Sequence, residues 1–222
     1  LFENPYVDTQ AAMALVGKAE FQQEAQAAQA ASHVLLKNEG SLLPLKADGK
    51  RVYLHNVNAE VAKANGYTVV TELAQAELAI VRVNAPGEQD PRFPFGSIHF
   101  GQLGFASADQ VVQETAHEGV YRGADEYAAI QAITQAGVPM VLSVYLDRPA
   151  ILTEVAPAAQ VLLANFGALD QALFDVISGK AKASGKLPFE LPSSWQAVQN
   201  QHPDVAKDSA NPLYPYGAGL AY

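Results

Sequence analysis

ELAIVRV at residues 77–83, followed directly by NAPGEQDPR at 84–92, decides how the rest of this chain reads. Its aliphatic residues come as a run rather than an alternation. A strand of that kind is apolar on both faces, which is the condition inside a parallel sheet covered by helices. Four other runs share the character: RVYLHNV at 51–57, YTVV at 67–70, PMVLSVYL at 139–146 and AQVLLANF at 159–166. Residues 123–136, 149–156 and 168–179 between and after them have helical composition. A βαβα order with right-handed crossovers predicts a layered α/β sandwich, a mainly parallel six-stranded sheet with helices on both faces. KLPFELP at 186–192, bracketed by prolines, suits the sixth position as an antiparallel edge strand. Upstream, LFENPYVD reads as an irregular strap. The Ala- and Gln-rich stretch from Lys18 to Leu36 reads as a helix stopping at Asn38-Glu39-Gly40.

A chain of 222 residues, 49% hydrophobic and 17% charged, buries enough surface for one large domain. Its 14 Lys and Arg against 23 Asp and Glu leave a formal charge of -9, which repels phosphate backbones and argues against nucleic-acid partners. No apolar run approaches the roughly 20 residues of a membrane-spanning helix. With no cysteine there is no disulfide framework and no thiolate metal site. The chain opens on Leu1 rather than Met, which reads as a piece of something longer. The expected address is periplasmic or secreted, with the cytoplasm still open.

Residues 84–122 break the pattern. They are rich in Gly, carry three Pro and five Phe or Tyr, and follow the third strand, where open α/β sheets bind their ligands. A loop this long is either functional or an insertion that packs on a partner. The common site chemistries do not fit. NAEVAK after the first strand lacks any phosphate-binding glycine pattern, and no serine sits in a GxSxG elbow. The five histidines show no paired metal-ligand spacing, so neither a metal nor any other cofactor is expected. What remains in the loop is Glu88, Asp90 and Arg92. By position alone they are solvated charges; at the mouth of a parallel sheet, a carboxyl shielded from water could instead act as a general acid.

Three stretches, in order along the chain, resemble the C-terminal domain of family 3 glycoside hydrolases: SHVLLKNEGSLLPL at 32–45, ANFGALDQALFDVISGKAKASGKLPFELPSS at 164–194 and NPLYPYGAGLAY at 211–222. In the family the VLLKN segment closes a helix. The chain departs from the family at Ala30 and Ala31, where Arg-Glu is common. It departs again at GEQDPR, where GEGxDR is common; Gly87, Glu88 and Asp90 are kept and the arginine is displaced by one residue.

The resemblance implies an α/β sandwich docked on a (β/α)₈-type barrel absent from this chain. Residues 1–45 would be the strap and helix leading from that barrel, and 84–122 the active-site loop of a domain spanning 1–222. It also implies retaining, exo-acting cleavage of a β-linked oligosaccharide or glycoside. A β-glucosidase is the first expectation, with β-xylosidase or β-N-acetylglucosaminidase specificity open. The nucleophile would be an Asp of the barrel. Glu88 is the match for the acid/base, and Asp90, Arg92, Phe93, Phe95, His99 and Phe100 would border the substrate. Glu114, Glu118 and His99 are the other acid candidates in the loop. The competing reading is a non-catalytic carbohydrate-binding or docking module.

Overall fold

The computed structural model describes residues 3, 5–89, 99–100, 102–106, 120–202 and 204–222, and all five aliphatic runs fold as strands of one sheet. Helices α1 (Thr9–Leu15) and α2 (Ala19–Ser32) precede strands β1 (Val34–Asn38) and β2 (Arg51–His55), helix α3 (Ala59–Ala64), β3 (Thr68–Val70) and β4 (Leu78–Asn84). Three short strands follow, β5 (Gly87–Gln89), β6 (His99–Phe100) and β7 (Val120–Arg122). The chain then continues through α4 (Ala124–Gln135), β8 (Met140–Tyr145), β9 (Val161–Asn165), α5 (Asp170–Ile177) and α6 (Trp195–Gln199).

The large sheet has the order β1-β9-β8-β4-β2-β3, parallel throughout except for β1, which runs antiparallel to β9. β4 lies inside it and shows why its sequence is a continuous run. Ala79, Val81 and Val83 enter the core on one face, with Ile130 and Ile133 of α4. Leu78 and Ile80 enter the core on the other, with Ala30 of α2 and Leu173, Phe174 and Ile177 of α5. Each such fully buried aliphatic or aromatic side chain contributes roughly 1.5–3 kcal/mol.

Four sequence expectations are corrected. The helix over 18–36 ends at Ser32, and Val34–Asn38, read as its end, is strand β1. Val34 and Leu36 belong to one core and Leu35 to the other, an alternation that only an extended chain provides. β1 is therefore the antiparallel edge strand, in place of KLPFELP. That segment bonds to the C-terminal tail instead, Leu187 N to Ala218 O at 2.9 Å and Leu191 N to Tyr214 O at 2.9 Å. Residues 149–156 form turns leading to a single 3₁₀ turn at Ala156–Ala158. Pro149 and Pro157 lack the amide hydrogens a longer helix would need there. The 84–122 segment, read as a loop, contains the second sheet, of order β6-β5-β7.

Two buried polar side chains behave differently. His33, 1% exposed at the end of α2, pairs its Nδ1 with the Gln29 carbonyl at 3.0 Å. Burial is the main force holding this imidazole below its ordinary pKa, opposed by its bonds to Gln29 and Ala30. Tyr67 packs its ring 5.5 Å from that of Phe174, but its buried hydroxyl has no partner among the described residues, and burial pushes its pKa up to about 12. An unpaired buried hydroxyl costs about 1–3 kcal/mol. Tyr67→Phe removes it while keeping the ring, so urea denaturation should show stability rising by about 1 kcal/mol. A loss of stability would mean that the hydroxyl is satisfied by bound water.

Candidate active site

The carboxyl ends of the central parallel strands lie side by side, with Asn84 in register with Tyr145 and Tyr145 with Asn165. Several loops leaving this edge are pinned by polar groups. After β9, Asn165 donates from Nδ2 to Ser143 Oγ at 2.9 Å and accepts from the Gly167 amide at 3.2 Å. Gly167 turns with φ +100°, a conformation L side chains rarely adopt. Arg82 on β4 pairs with Asp170 and donates from Nη2 to the Ala168 carbonyl at 2.7 Å. The second Asp170 oxygen accepts from the Asn58 amide at 2.7 Å, so one carboxylate holds the loops after β2 and β9 together. This pair is largely shielded from solvent, where a charge left without its partner is costly.

The excursion after β4 starts as a continuation of the sheet. The Ala85 amide bonds to the Tyr145 carbonyl at 2.8 Å, and Ala85, Pro86 and Gly87 are buried. The backbone then enters β5, the middle strand of the small sheet, antiparallel to β6 and β7. Glu88 is the central residue of β5, in register with Phe100 on β6 and Tyr121 on β7. Gln89 is in register with His99. The backbones of Glu88, His99 and Phe100 are thus brought together. Asp90, Arg92, Phe93, Phe95, Glu114 and Glu118 lie outside the described residues.

A residue that sequence reasoning passed over anchors this excursion. Arg148, in the loop after β8, donates from Nη2 to the Pro86 carbonyl at 2.7 Å and to the Gln102 carbonyl at 2.9 Å. Nearby, the Ile151 amide bonds to the Leu103 carbonyl at 3.0 Å, and Phe105 is 2% exposed in the core on the α4 face. Both flanks of the small sheet are therefore tied to the loop after β8. Among the described residues no group of three or more His, Asp or Glu could hold a metal ion. Arg148→Lys replaces the planar guanidinium, whose Nη2 reaches both carbonyls, with an ammonium on a shorter arm that cannot hold both bonds. Hydrogen exchange at Gly87–Gln89 and Val120–Arg122 should accelerate about tenfold, the equivalent of one charge-assisted bond. Unchanged exchange would show that the other tethers suffice.

Residues 33–222 match the Glycosyl hydrolase family 3 C-terminal domain. Over 225 residues the chain is 42% identical to a periplasmic beta-glucosidase/beta-xylosidase of Dickeya chrysanthemi, covering 100% of this chain and 32% of that protein. It is 35% identical over 224 residues to beta-glucosidase C of Emericella nidulans, covering 100% of this chain and 33% of that protein. Among solved structures, a beta-glucosidase from Listeria innocua superposes with a TM-score of 0.72 at 18% identity, over 100% of this chain and 36% of its own. That likeness is one of fold. The chain spans about a third of the length of these relatives. In its sequence from His33 to Tyr222, and in the six-stranded sheet with its one antiparallel edge, the chain belongs to the C-terminal domain family of the family 3 glycosyl hydrolases.

Proposed function

We propose that this domain supplies the acid/base side of a retaining exo-β-glycosidase active site, that of a β-glucosidase first of all. The observation that carries the reading is the position of Glu88, central in the small sheet just beyond the carboxyl end of β4. The names of the relatives support it, beta-glucosidase among them and beta-xylosidase in one. Retaining hydrolysis needs two carboxyls about 5–5.5 Å apart, one attacking the anomeric carbon and one protonating the leaving oxygen. The nucleophile comes from a (β/α)₈-type barrel elsewhere in the protein, the partner of this domain. Glu88 gives its proton to the departing oxygen, then takes one from the water that releases the sugar.

Asp90, Arg92, Phe93, Phe95, His99 and Phe100 border the leaving-group side, where aromatic faces pack on sugar C–H surfaces. A β-linked oligosaccharide or glycoside is the substrate. The periplasm, or secretion, is the expected address, since two of the relatives are named as periplasmic.

Two outcomes are expected. The 222-residue chain alone should hydrolyse aryl β-glucosides no faster than buffer, while the barrel-containing protein turns them over; robust turnover by the chain alone would refute a divided site. In the barrel-containing protein, Glu88→Gln should slow cleavage of substrates with poor leaving groups by roughly 10²- to 10⁴-fold. Activated aryl glycosides should suffer much less, with azide restoring turnover of the intermediate. Asp90→Asn and Arg92→Ala should slow both substrate types alike without azide rescue. If Glu88→Gln behaves as they do, Glu88 is a solvated loop carboxylate.

A further inference from the structure

The loop after β8, the 188–192 segment and the C-terminal tail enclose a cleft of about 500 Å³. That falls within the roughly 300–1,000 Å³ typical of small-molecule sites. One wall is apolar, formed by Phe189 with Pro188 and Pro192, and Phe189 is braced by Phe166 in an edge-to-face contact at 6.1 Å. Glu190, His202, Asp208 and Arg148 line the same cleft.

The charges here are unequally committed. Arg148 bonds the carbonyls of Pro86 and Gln102, and the Lys207 ammonium sits 3.6 Å from the centroid of the Tyr216 ring. Both full cations are therefore occupied. Asp208 accepts from the His202 amide at 2.8 Å and from its ring Nδ1 at 3.2 Å. Glu190 accepts from the Ser209 amide at Oε2, at 3.1 Å, and its Oε1 makes no bond among the described residues. The His202 side chain is 76% exposed, and its Nε2 makes no bond among the described residues. Lys207, though not glycine, holds φ at +63°. That left-handed conformation costs on the order of 1 kcal/mol and is commonest where a segment is shaped for a task.

Apolar side chains lining one cleft with an open carboxylate oxygen and an exposed imidazole, the cations already engaged, suit a neutral polyhydroxylated ligand. The carboxylates would repel a phosphate. We propose that this cleft is a saccharide subsite, receiving units of a β-linked oligosaccharide beyond those at the bond that is cut. Sugar C–H faces lie on Phe189 and the prolines, while hydroxyls donate to Glu190 Oε1 and accept from or donate to His202 Nε2. Arg148 lines the cleft and also holds Pro86, two residues before Glu88, so the cleft adjoins the base of the small sheet. The assignment of the cut bond rests on the glycosidase reading above; the binding chemistry rests on the cleft.

The test uses the barrel-containing protein. Steady-state kinetics compare cellotetraose with p-nitrophenyl β-glucoside, which is too short to fill the cleft and the reaction centre together. Glu190→Gln keeps an acceptor for the Ser209 amide, and His202→Ala removes an exposed ring, so neither opens the core. Each should raise the ratio of the cellotetraose KM to the aryl glucoside KM about tenfold, the equivalent of one charge-assisted hydrogen bond. Calorimetric titration with cellotetraose in a Glu88→Gln background should show the same tenfold loss of affinity. A ratio and an affinity that stay unchanged in both variants overturn the proposal. If activity depends on Glu88 while cellotetraose is indifferent to Glu190 and His202, the cleft falls and the glycosidase reading stands. If the protein cleaves neither glucoside yet binds cellotetraose through Glu190, the glycosidase reading falls and the cleft stands.

Discussion

The arrangement of this domain depends on a close approach at its antiparallel edge. A Cβ on Gly185 would lie 2.6 Å from the Ser32 carbonyl oxygen and 2.8 Å from that of His33; one on Gly219 would lie 2.7 Å from the Gly185 oxygen. Only glycine fits either place. With both side chains absent, the Gly185 amide reaches the His33 carbonyl at 3.1 Å, and the Leu220 amide reaches that of Leu35 at 2.7 Å. The tail thereby covers the open side of β1, which would otherwise offer unpaired backbone to other chains. The same contact fixes where α2 must stop and β1 begin, and so how β1 meets β9. It also explains why the segments around 32–38, 184–188 and 219–222 carry the most recognisable motifs, since they are one structural junction divided among three places in sequence.

Away from that junction the large sheet is held by apolar burial, which is strong but does not specify where a loop must go. Polar bonds provide the specificity at the carboxyl edge. Asn165 with Ser143, and Arg82 with Asp170, are expensive to desolvate and worth keeping only when nearly every bond is made. Each pair holds a particular backbone group, the Gly167 amide in one case and the Ala168 carbonyl in the other. Among the described residues the small sheet is anchored by Arg148 and by the Leu103–Ile151 bond.

The continuous aliphatic runs made five strands legible, because burial on both faces leaves a pattern that nothing polar interrupts. β1 was illegible for a local reason. VLLKN follows a helix with no glycine or proline between them, so composition alone extends the helix through it. KLPFELP has the look of an edge strand because its prolines suit one, yet its partner is the tail rather than the sheet. β5, β6 and β7 are two or three residues long, too short to show any period. Glu88 was singled out through the motif around it. Arg148 could not be, since its partners are backbone carbonyls 62 and 46 residues away, and a carbonyl has no signature in sequence. Glu190, His202 and Asp208 look like separate surface charges until the tail folds back along 188–192.

A divided active site also has an electrostatic logic. A general acid must hold its proton near neutral pH, well above the ordinary carboxylate range of about 4. Two influences raise a carboxyl pKa, removal from water and nearby negative charge. The domain carries a formal charge of -9, but charges beyond about 8–10 Å are largely screened in physiological salt. Net charge alone therefore does little to raise a carboxyl pKa. Docking a barrel over that edge would exclude water, lower the local dielectric and bring the nucleophile's own carboxylate within a few ångströms, so that both influences act together. On the proposed reading, the domain would supply the position of the acid and the assembled enzyme would supply its pKa.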